Sequence, residues 1–451
     1  MATVRSVVAL VAAVVVAACV ALAAGGPSCF NHQTETYTSH FKMETVTGHD
    51  ARVTPFFSPG QLEREVTELV LSAESSIDIA VASWAPFQAC GVRGGGGCSP
   101  AQLRYNASSP LFVALVNAIH SGVRVRLLVG YCSTNVNPPG AIDVFSYLAL
   151  AGASVRAYAT TDFIHSKYVN VDNRKVAIMS ANFDLEGFLY NREAGVVYDG
   201  LDPGSPVADF TTAVFDGDWE LAIAYPVDAT WPASVLKLMK DKSPIPMPPV
   251  TFTNSTCSYN VPDPPPTFSA EMDVTVYTMP DDGVELSLIP HLQTATTSID
   301  VYIYVIASRA IVTELIALKQ SRPKLRIRAL VSGYVVPGPF ASYPAAYRNL
   351  TSAGIEVHVT HDCLGIHHQK YWIVDGSSVS VSTNNWAESE YPTFTVFPPG
   401  VHGADRGLTL RFTHPGLVAW YASVMDADWK LSEPWTPSLV PPPPPPPSVL
   451  T

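Results

Sequence analysis

Apolar residues gather along this chain in blocks whose spacing changes from segment to segment. Residues 7–24 form one unbroken apolar run behind Arg5. That is the layout of a secretory leader with Ala21-Leu22-Ala23 as its small-residue cleavage site, or of an uncleaved anchor, because the run is long enough to span a bilayer. A lipoprotein attachment at Cys19 is a third reading. Farther in, Ile77 to Ala82 and Val125 to Val129 are short continuous apolar runs, which predict central strands covered on both faces. At residues 163–172 (FIHSKYVNVD) and 365–375 (GIHHQKYWIVD) the pattern becomes strand alternation. Residues two apart on a strand share a face, so His165 and Lys167 project together, as do His368 and Lys370. Asp172-Asn173 and Asp375-Gly376 then predict hairpin turns. The returning strands bring Ser180 and Asn182, or Thr383 and Asn385, beside each imidazole.

These two stretches belong to a longer repetition. Ser76-Ile77-Asp78-Ile79 answers Ser298-Ile299-Asp300-Val301, and Val125 to Val129 answers Ile327 to Val331. Ala151 to Val155 answers Ala353 to Val357, and Phe215-Asp216-Gly217-Asp218-Trp219 answers Met425-Asp426-Ala427-Asp428-Trp429. Matched markers in one order define an internal duplication. Each copy reads as helix, buried strand, helix, buried strand, then the strand pair carrying the histidine. The expected fold class is therefore α/β, with two similar lobes at residues 50–240 and 269–436, each a mixed sheet flanked by helices, packed about a pseudo-twofold axis. Residues 241–268 are proline-rich and aperiodic, which predicts a connector. Pro441 to Pro447 make residues 437–451 a solvated tail.

Composition narrows the partners. Only 15% of residues are charged, against about 25% in a typical globular chain, and the net charge is -12. That charge argues against avid duplex binding through a broad cationic face, although not against a local cationic pocket. Sequons at Asn106, Asn254 and Asn349 fit a glycosylated luminal protein. Beyond the leader stand Cys29, Cys90, Cys98, Cys132, Cys257 and Cys363, an even number that suits disulfides. Cys90 with Cys98 is the one pairing expected.

The chemistry follows from the repeat. A lone histidine beside a strand is usually a structural residue; the same His-x-Lys and Asn grouping in both copies reverses that reading. His361, Cys363, His367 and His368 cluster as a metal site would, but the neighbouring lysine disfavours a cation and the first copy has no counterpart. No metal or cofactor is expected. Two imidazoles facing each other with two lysines and two asparagines form a pocket for a tetrahedral anion. The lysines and amides stabilise phosphoryl oxygens while one histidine attacks phosphorus and the other protonates the departing alcohol.

With the spacing His-x-Lys-x-x-x-x-Asp present twice, followed by Ser180-x-Asn182 and Thr383-x-Asn385, the chain resembles the phospholipase D superfamily over roughly residues 50–436. The Asn182 to Glu193 spacing, Asn385-Trp386, the leader and the Asp-x-Asp-Trp ends resemble its endolysosomal branch, which includes acid 5′-exonucleases. The resemblance implies His165 as nucleophile and His368 as general acid, with Lys167, Lys370, Asn182, Asn385, Ser180 and Thr383 around the phosphate. It makes Asp172 and Asp375 structural and gives Glu193 the task of orienting His368. In the second copy an ungapped count lands on Thr393, leaving Glu388 or Glu390 to orient His165. The implied substrates are 5′ ends of single-stranded nucleic acid, with Trp84, Phe87, Tyr105, Tyr334 and Phe340 as stacking aromatics, or glycerophospholipids, with a groove at 394–399 or 335–340. A silent luminal binding protein is the third reading. The location expected is the secretory pathway, in an endolysosomal lumen or outside the cell, with membrane attachment through residues 7–24 if the leader stays uncut.

Overall fold

The structure is a computed structural model describing residues 41–85, 109–130, 144–158, 163–184, 186–225, 240–248, 260–335, 340–360, 366–393 and 404–439, and positions 227, 233 and 237. The apolar run at 7–24, Asn106, Asn254, every cysteine, Phe87, Tyr105, residues 394–399 and the polyproline run lie outside the described residues. Asn349 is described and exposed.

The first copy runs β1 (Glu44–Phe57), α1 (Leu62–Leu71), β2 (Ser76–Val81), α2 (Pro110–Ser121), β3 (Arg124–Gly130), α3 (Val144–Ala151), β4 (Ser154–Tyr158), β5 (Lys167–Val171), β6 (Lys175–Met179), β7 (Ala194–Asp199) and α4 (Pro206–Leu221). The second repeats the order: β8 (Phe268–Met279), α5 (Leu288–Gln293), β9 (Ser298–Ile303), α6 (Arg309–Ser321), β10 (Arg326–Val331), α7 (Tyr343–Ser352), β11 (Glu356–Val359), β12 (Lys370–Val374), β13 (Ser378–Ser382), β14 (Asp405–Phe412) and α8 (Pro415–Lys430). Local chemistry sets several boundaries. α2 opens where the Ser109 side chain accepts from Phe112 N–H, has proline in its first turn, and stops at Gly122, whose φ of 97° suits a residue without Cβ. α6 opens the same way on Ser308.

Within each copy the crossover strands are parallel, β2 with β3 and β3 with β4, and β9 with β10 and β10 with β11. The histidine-bearing hairpins are antiparallel, β5 with β6 and β12 with β13. The result is the expected mixed α/β architecture with two similar lobes. One element of the sequence reading needs correction: each copy opens on a long strand rather than a helix. β1 extends the first copy back to Glu44, pairs with β7 on one side and with β8 on the other, and β8 pairs with β14. The sheet is thereby continuous from one lobe into the next. The outer half of β1 is largely exposed and carries no apolar block; pairing with the other lobe, not its own hydrophobicity, makes it a strand.

Each lobe has an outer core under its helices. A third core lies between them and draws Tyr168, Ile178, Val196 and Phe215 from the first copy and Tyr371, Val381, Leu410 and Tyr421 from the second. At about 1.5–3 kcal/mol for each large apolar side chain buried, this shared layer joins the lobes firmly enough to hold side chains from both in register. Among the described residues no helix is long and apolar enough to cross a membrane.

Candidate active site

His165 and His368 stand two residues ahead of strands β5 and β12, whose first residues are Lys167 and Lys370. Both lysines are fully buried. Each Nζ donates to the carbonyl of its own histidine, Lys167 to His165 at 2.7 Å and Lys370 to His368 at 2.9 Å. This tie fixes the ammonium beside the imidazole, while the remaining N–H groups stay available to an anion.

The lobes exchange support at the site. His368 Nδ1 lies 3.0 Å from both carboxylate oxygens of Glu193, a residue of the first lobe. His165 Nδ1 lies 3.0 Å from Glu390 of the second lobe. Glu390, not Glu388 and not the Thr393 position, is thus the carboxylate against His165. Glu388 instead accepts from the Arg309 N–H at the start of α6, at 2.6 Å. With Nδ1 facing a carboxylate in both rings, Nε2 of each imidazole is the nitrogen turned away from that carboxylate.

The asparagines and hydroxyls divide differently from the expectation. Asn385 donates to Glu390 from both its backbone and its Nδ2, the latter at 2.6 Å, so it aims the carboxylate rather than the phosphate. Ser180 directs its single proton to Glu193 Oε2 at 2.5 Å, and Asn191 Nδ2 adds a bond to Glu193 at 3.2 Å. Thr383 donates to Asn384 Oδ1 at 2.9 Å and accepts from Leu408 N–H at 3.0 Å. A buried hydroxyl whose proton is already committed cannot also donate to a phosphoryl oxygen, so Ser180 and Thr383 move from the phosphate to the supports behind it. The buried Asn182 Oδ1 has no hydrogen-bond partner among the described residues.

Burial sets the electrostatics. His165 is pushed below the ordinary imidazole range by desolvation, with Glu390 opposing. His368 is pushed well below it by desolvation and then by Lys370 and Lys167. The Glu193 contact thus falls where expected, yet the net displacement of His368 is downward because burial and two cations outweigh one carboxylate. The lysines are lowered by the same desolvation, Lys167 to about 8 and Lys370 to about 7. Glu193 is raised to about 7 by burial. Each imidazole feels both lysines, so the two motifs build one site.

The motif aspartates stand away from this chemistry. Asp172 accepts from the N–H groups of Glu74, Ser75 and Ser76 at 2.7–2.9 Å. Asp375 accepts from those of Thr296, Thr297 and Ser298 at 2.7–3.0 Å. Each carboxylate pins its hairpin turn to the head of the adjacent strand, β2 or β9.

Of the aromatics expected to stack bases, Trp84 does not reach the site: it is buried, edge-on to Phe112 and Phe183. The aromatic ring against the site is one that sequence reasoning missed. Tyr304, just after β9, packs its ring 5.0 Å from that of His368 and 5.9 Å from Phe340. His367, entertained as a metal ligand, meets the Tyr302 hydroxyl at 2.7 Å through Nδ1. His361 and Cys363 lie outside the described residues.

A duplicated α/β fold that brings two His-Lys pairs to one seam is the phospholipase D type of architecture. The chain belongs to the family described as "Cardiolipin synthase, PLD-like domain", whose profile matches residues 66–219 and 288–429. Among solved structures it is similar to the phosphatidylserine synthase of Haemophilus influenzae Rd KW20, at 12% identity and TM-score 0.54, covering 91% of this chain and 92% of that one. It is similar to the polyphosphate kinase of Porphyromonas gingivalis at 11% identity and TM-score 0.50, covering 86% and 49%. Nuc of Salmonella typhimurium, a phospholipase D family member, matches at 18% identity and TM-score 0.31 over 37% of this chain and 99% of its own. No curated protein sequence matches the chain.

Proposed function

We propose that the protein is a phosphodiesterase working through a phosphohistidine intermediate, and that it removes nucleotides from the 5′ ends of single-stranded DNA or RNA in the lumen of the secretory or endolysosomal pathway. The observation that carries the chemistry is the crossed pair of His–Glu contacts, 3.0 Å each, which turns Nε2 of each ring away from its carboxylate in a site that also holds two buried lysines. In the first step His165 Nε2 forms a bond to phosphorus. The P–O bond to the leaving group breaks with its electron pair, and that oxygen takes the proton of His368 Nε2. In the second step water attacks phosphorus, its proton passes to His368, and the N–P electron pair returns to His165. Lys167, Lys370 and Asn182 bear the charge on the phosphoryl oxygens.

The nucleic-acid reading is supported by Phe340, a half-buried ring against Tyr304, which in turn packs against His368, so that an aromatic side chain able to meet a base lies one ring away from the site. A second reading, hydrolysis or headgroup exchange on a glycerophospholipid, is favoured by the family's description. One assay separates them. Purified full-length protein at pH about 5 is offered a 5′-hydroxyl oligonucleotide and phosphatidylcholine vesicles side by side, with EDTA present. Shortening of the oligonucleotide without lipid turnover is the expected result. Lipid turnover alone selects the second reading. Activity lost to EDTA and restored by zinc or magnesium overturns the two-histidine mechanism.

A further inference from the structure

The repeated Asp-x-Asp-Trp signature has so far had no place in the chemistry. Its first aspartate and its tryptophan act within their own lobe. Asp216 pairs with Arg126 at 2.7 Å and Asp426 with Arg328 at 2.5 Å, and each arginine lies over the tryptophan of the same signature, Trp219 or Trp429. The second aspartate reaches across the seam. Asp428, on α8 of the second lobe, accepts from Arg192 of the first through Nε and Nη2, both at 3.0 Å. Asp218, on α4 of the first lobe, accepts from Arg406 of the second at 2.8 Å. All four side chains are buried.

The two arginines occupy equivalent positions. Ser180 N–H bonds Ala194 O and Thr383 N–H bonds Leu408 O, so residues two earlier, Arg192 and Arg406, correspond. Their main chains correspond too. The Arg192 carbonyl accepts from the His368 N–H at 2.8 Å, and the Arg406 carbonyl accepts from the His165 N–H at 2.8 Å. Each arginine therefore grips the opposite lobe twice, by its backbone at the reactive histidine and by its guanidinium at the aspartate. A backbone contact at the histidine and a guanidinium contact at the aspartate recur in both directions, two-pronged from Arg192 and single from Arg406, and the recurrence argues against incidental packing. Stability is a weak explanation for them, because desolvation offsets most of the attraction in a buried ion pair. Placement is a better one: a guanidinium held by a carboxylate fixes the carbonyl two bonds from its Cα, and with it the height of the histidine.

We propose that Arg192–Asp428 and Arg406–Asp218 are positioning pairs, the first placing His368 and the second His165. The inference rests on the roles given to those histidines above. It predicts that the pairs fail differently. Without a well-placed His368, a departing alkoxide goes unprotonated whereas a p-nitrophenolate leaves unaided; without a well-placed His165, neither departs. Arg406 also bonds Asp281 at 2.5 Å, so the loss of Asp218 removes one of two carboxylates there.

The test uses full-length protein and two substrates that differ only in the departing group, thymidine 3′-(p-nitrophenyl phosphate) and the dinucleotide TpT. Asp428→Asn should lower kcat on the dinucleotide about a hundredfold and on the nitrophenyl ester less than about threefold. Asp218→Asn should lower both by a similar factor of about ten. A purely structural aspartate would lower both substrates equally in either variant, since less folded enzyme acts alike on each. If Asp428→Asn does not fold, Arg192→Lys, which keeps the charge and loses the two-pronged grip, should show the same skew towards the nitrophenyl ester. Equal losses, or none, in the folded Asp428→Asn or Arg192→Lys protein overturn the inference while His368→Ala still discriminates between the substrates. If His368→Ala itself fails to discriminate, the assigned roles are wrong and the inference falls with them.

Discussion

The two lobes deliver the same carboxylate to a histidine by different routes. In the first lobe Glu193 immediately precedes β7, braced by Ser180 and Asn191. The equivalent position in the second lobe, immediately before Leu408, is Gly407, where a Cβ would fall 1.7 Å from Asn384 Oδ1. No glutamate fits there. Instead the loop after β13 turns back, with Asn384 Nδ2 holding the Glu390 carbonyl at 2.6 Å and Asn385 gripping its carboxylate. The duplicated feature is thus a carboxyl group at 3.0 Å from Nδ1, not a residue at a fixed count along the chain. Loops can drift as long as that distance is met.

The sharpest way to break the equivalence is to remove each histidine. His165→Ala and His368→Ala should each lower turnover of a nucleoside phosphodiester by roughly 10³-fold or more. Only His368→Ala should accumulate a phosphoryl adduct from a p-nitrophenyl ester, on His165, detected by mass spectrometry after alkaline quench. An adduct on His368 in His165→Ala would reverse the roles.

The carboxylates come next. If the two routes are equivalent, Glu193→Gln and Glu390→Gln should each reduce kcat by roughly 10²- to 10⁴-fold, the range seen when a buried carboxylate orienting a reactive imidazole becomes an amide. Glu388→Gln should change it less than about twofold, since Glu388 bonds the head of α6 instead. Steady-state kinetics on one substrate decides the three. Gly407→Ala should act through the same route by displacing Asn384, with a destabilisation of about 1–3 kcal/mol in thermal or urea unfolding and a fall in kcat.

How much of this could be read from the chain follows the range of each interaction. Strand alternation placed His165 with Lys167 and His368 with Lys370, because a period of two is local and needs no partner. The duplication showed that the two sets meet. Glu193 came from a fixed spacing, whereas Glu390 arrives after five residues instead of eleven from its asparagine, and Asn384, which holds its loop, cannot be told from any buried amide by sequence. β1 escaped notice because its strand character comes from the facing lobe. Arg192 and Arg406 escaped for the same reason: each has partners more than a hundred residues away, and nothing local marks a residue that bonds across a seam. The spacing of Ser180 matches a phosphate ligand, but its single proton goes to Glu193 and places it behind that carboxylate.

The pH profile tests whether the lysines are equal. Burial lowers Lys370 to about 7 and Lys167 to about 8. A cation below its pKa binds the phosphate, so KM should rise as pH passes about 7, Lys370 losing its proton first. The downward displacement of His368 acts in the same direction on kcat, since the acid is protonated only on the acidic side of its lowered pKa. Both effects favour an acidic optimum. Lys370→Arg should remove the lower of the two inflections in KM, because a guanidinium does not titrate there. An unchanged inflection would assign it to another group.

The smallest expected effect concerns the motif aspartates, where the lobes should behave alike. Asp172 and Asp375 both sit at positive φ, 55° and 52°, and both accept three backbone N–H groups at the head of a neighbouring strand. Those donors hold both carboxyls below the usual carboxylate range despite some burial. A folded pKa lowered in this way contributes stability that is present above the unfolded value, near 3.8, and is lost as pH falls towards the folded one. Asparagine tolerates positive φ, so Asp172→Asn and Asp375→Asn change the charge and one acceptor without straining the turn. Each should destabilise the protein by about 1–3 kcal/mol at neutral pH, with less loss on going from pH about 5 to pH about 3 than the parent shows, and with kcat within about twofold of it. Urea unfolding at the three pH values and one kinetic measurement suffice. If either variant keeps its stability and loses its turnover, that aspartate acts on the substrate or on an imidazole, and the two motifs differ at their last residue as well as in their supporting glutamates.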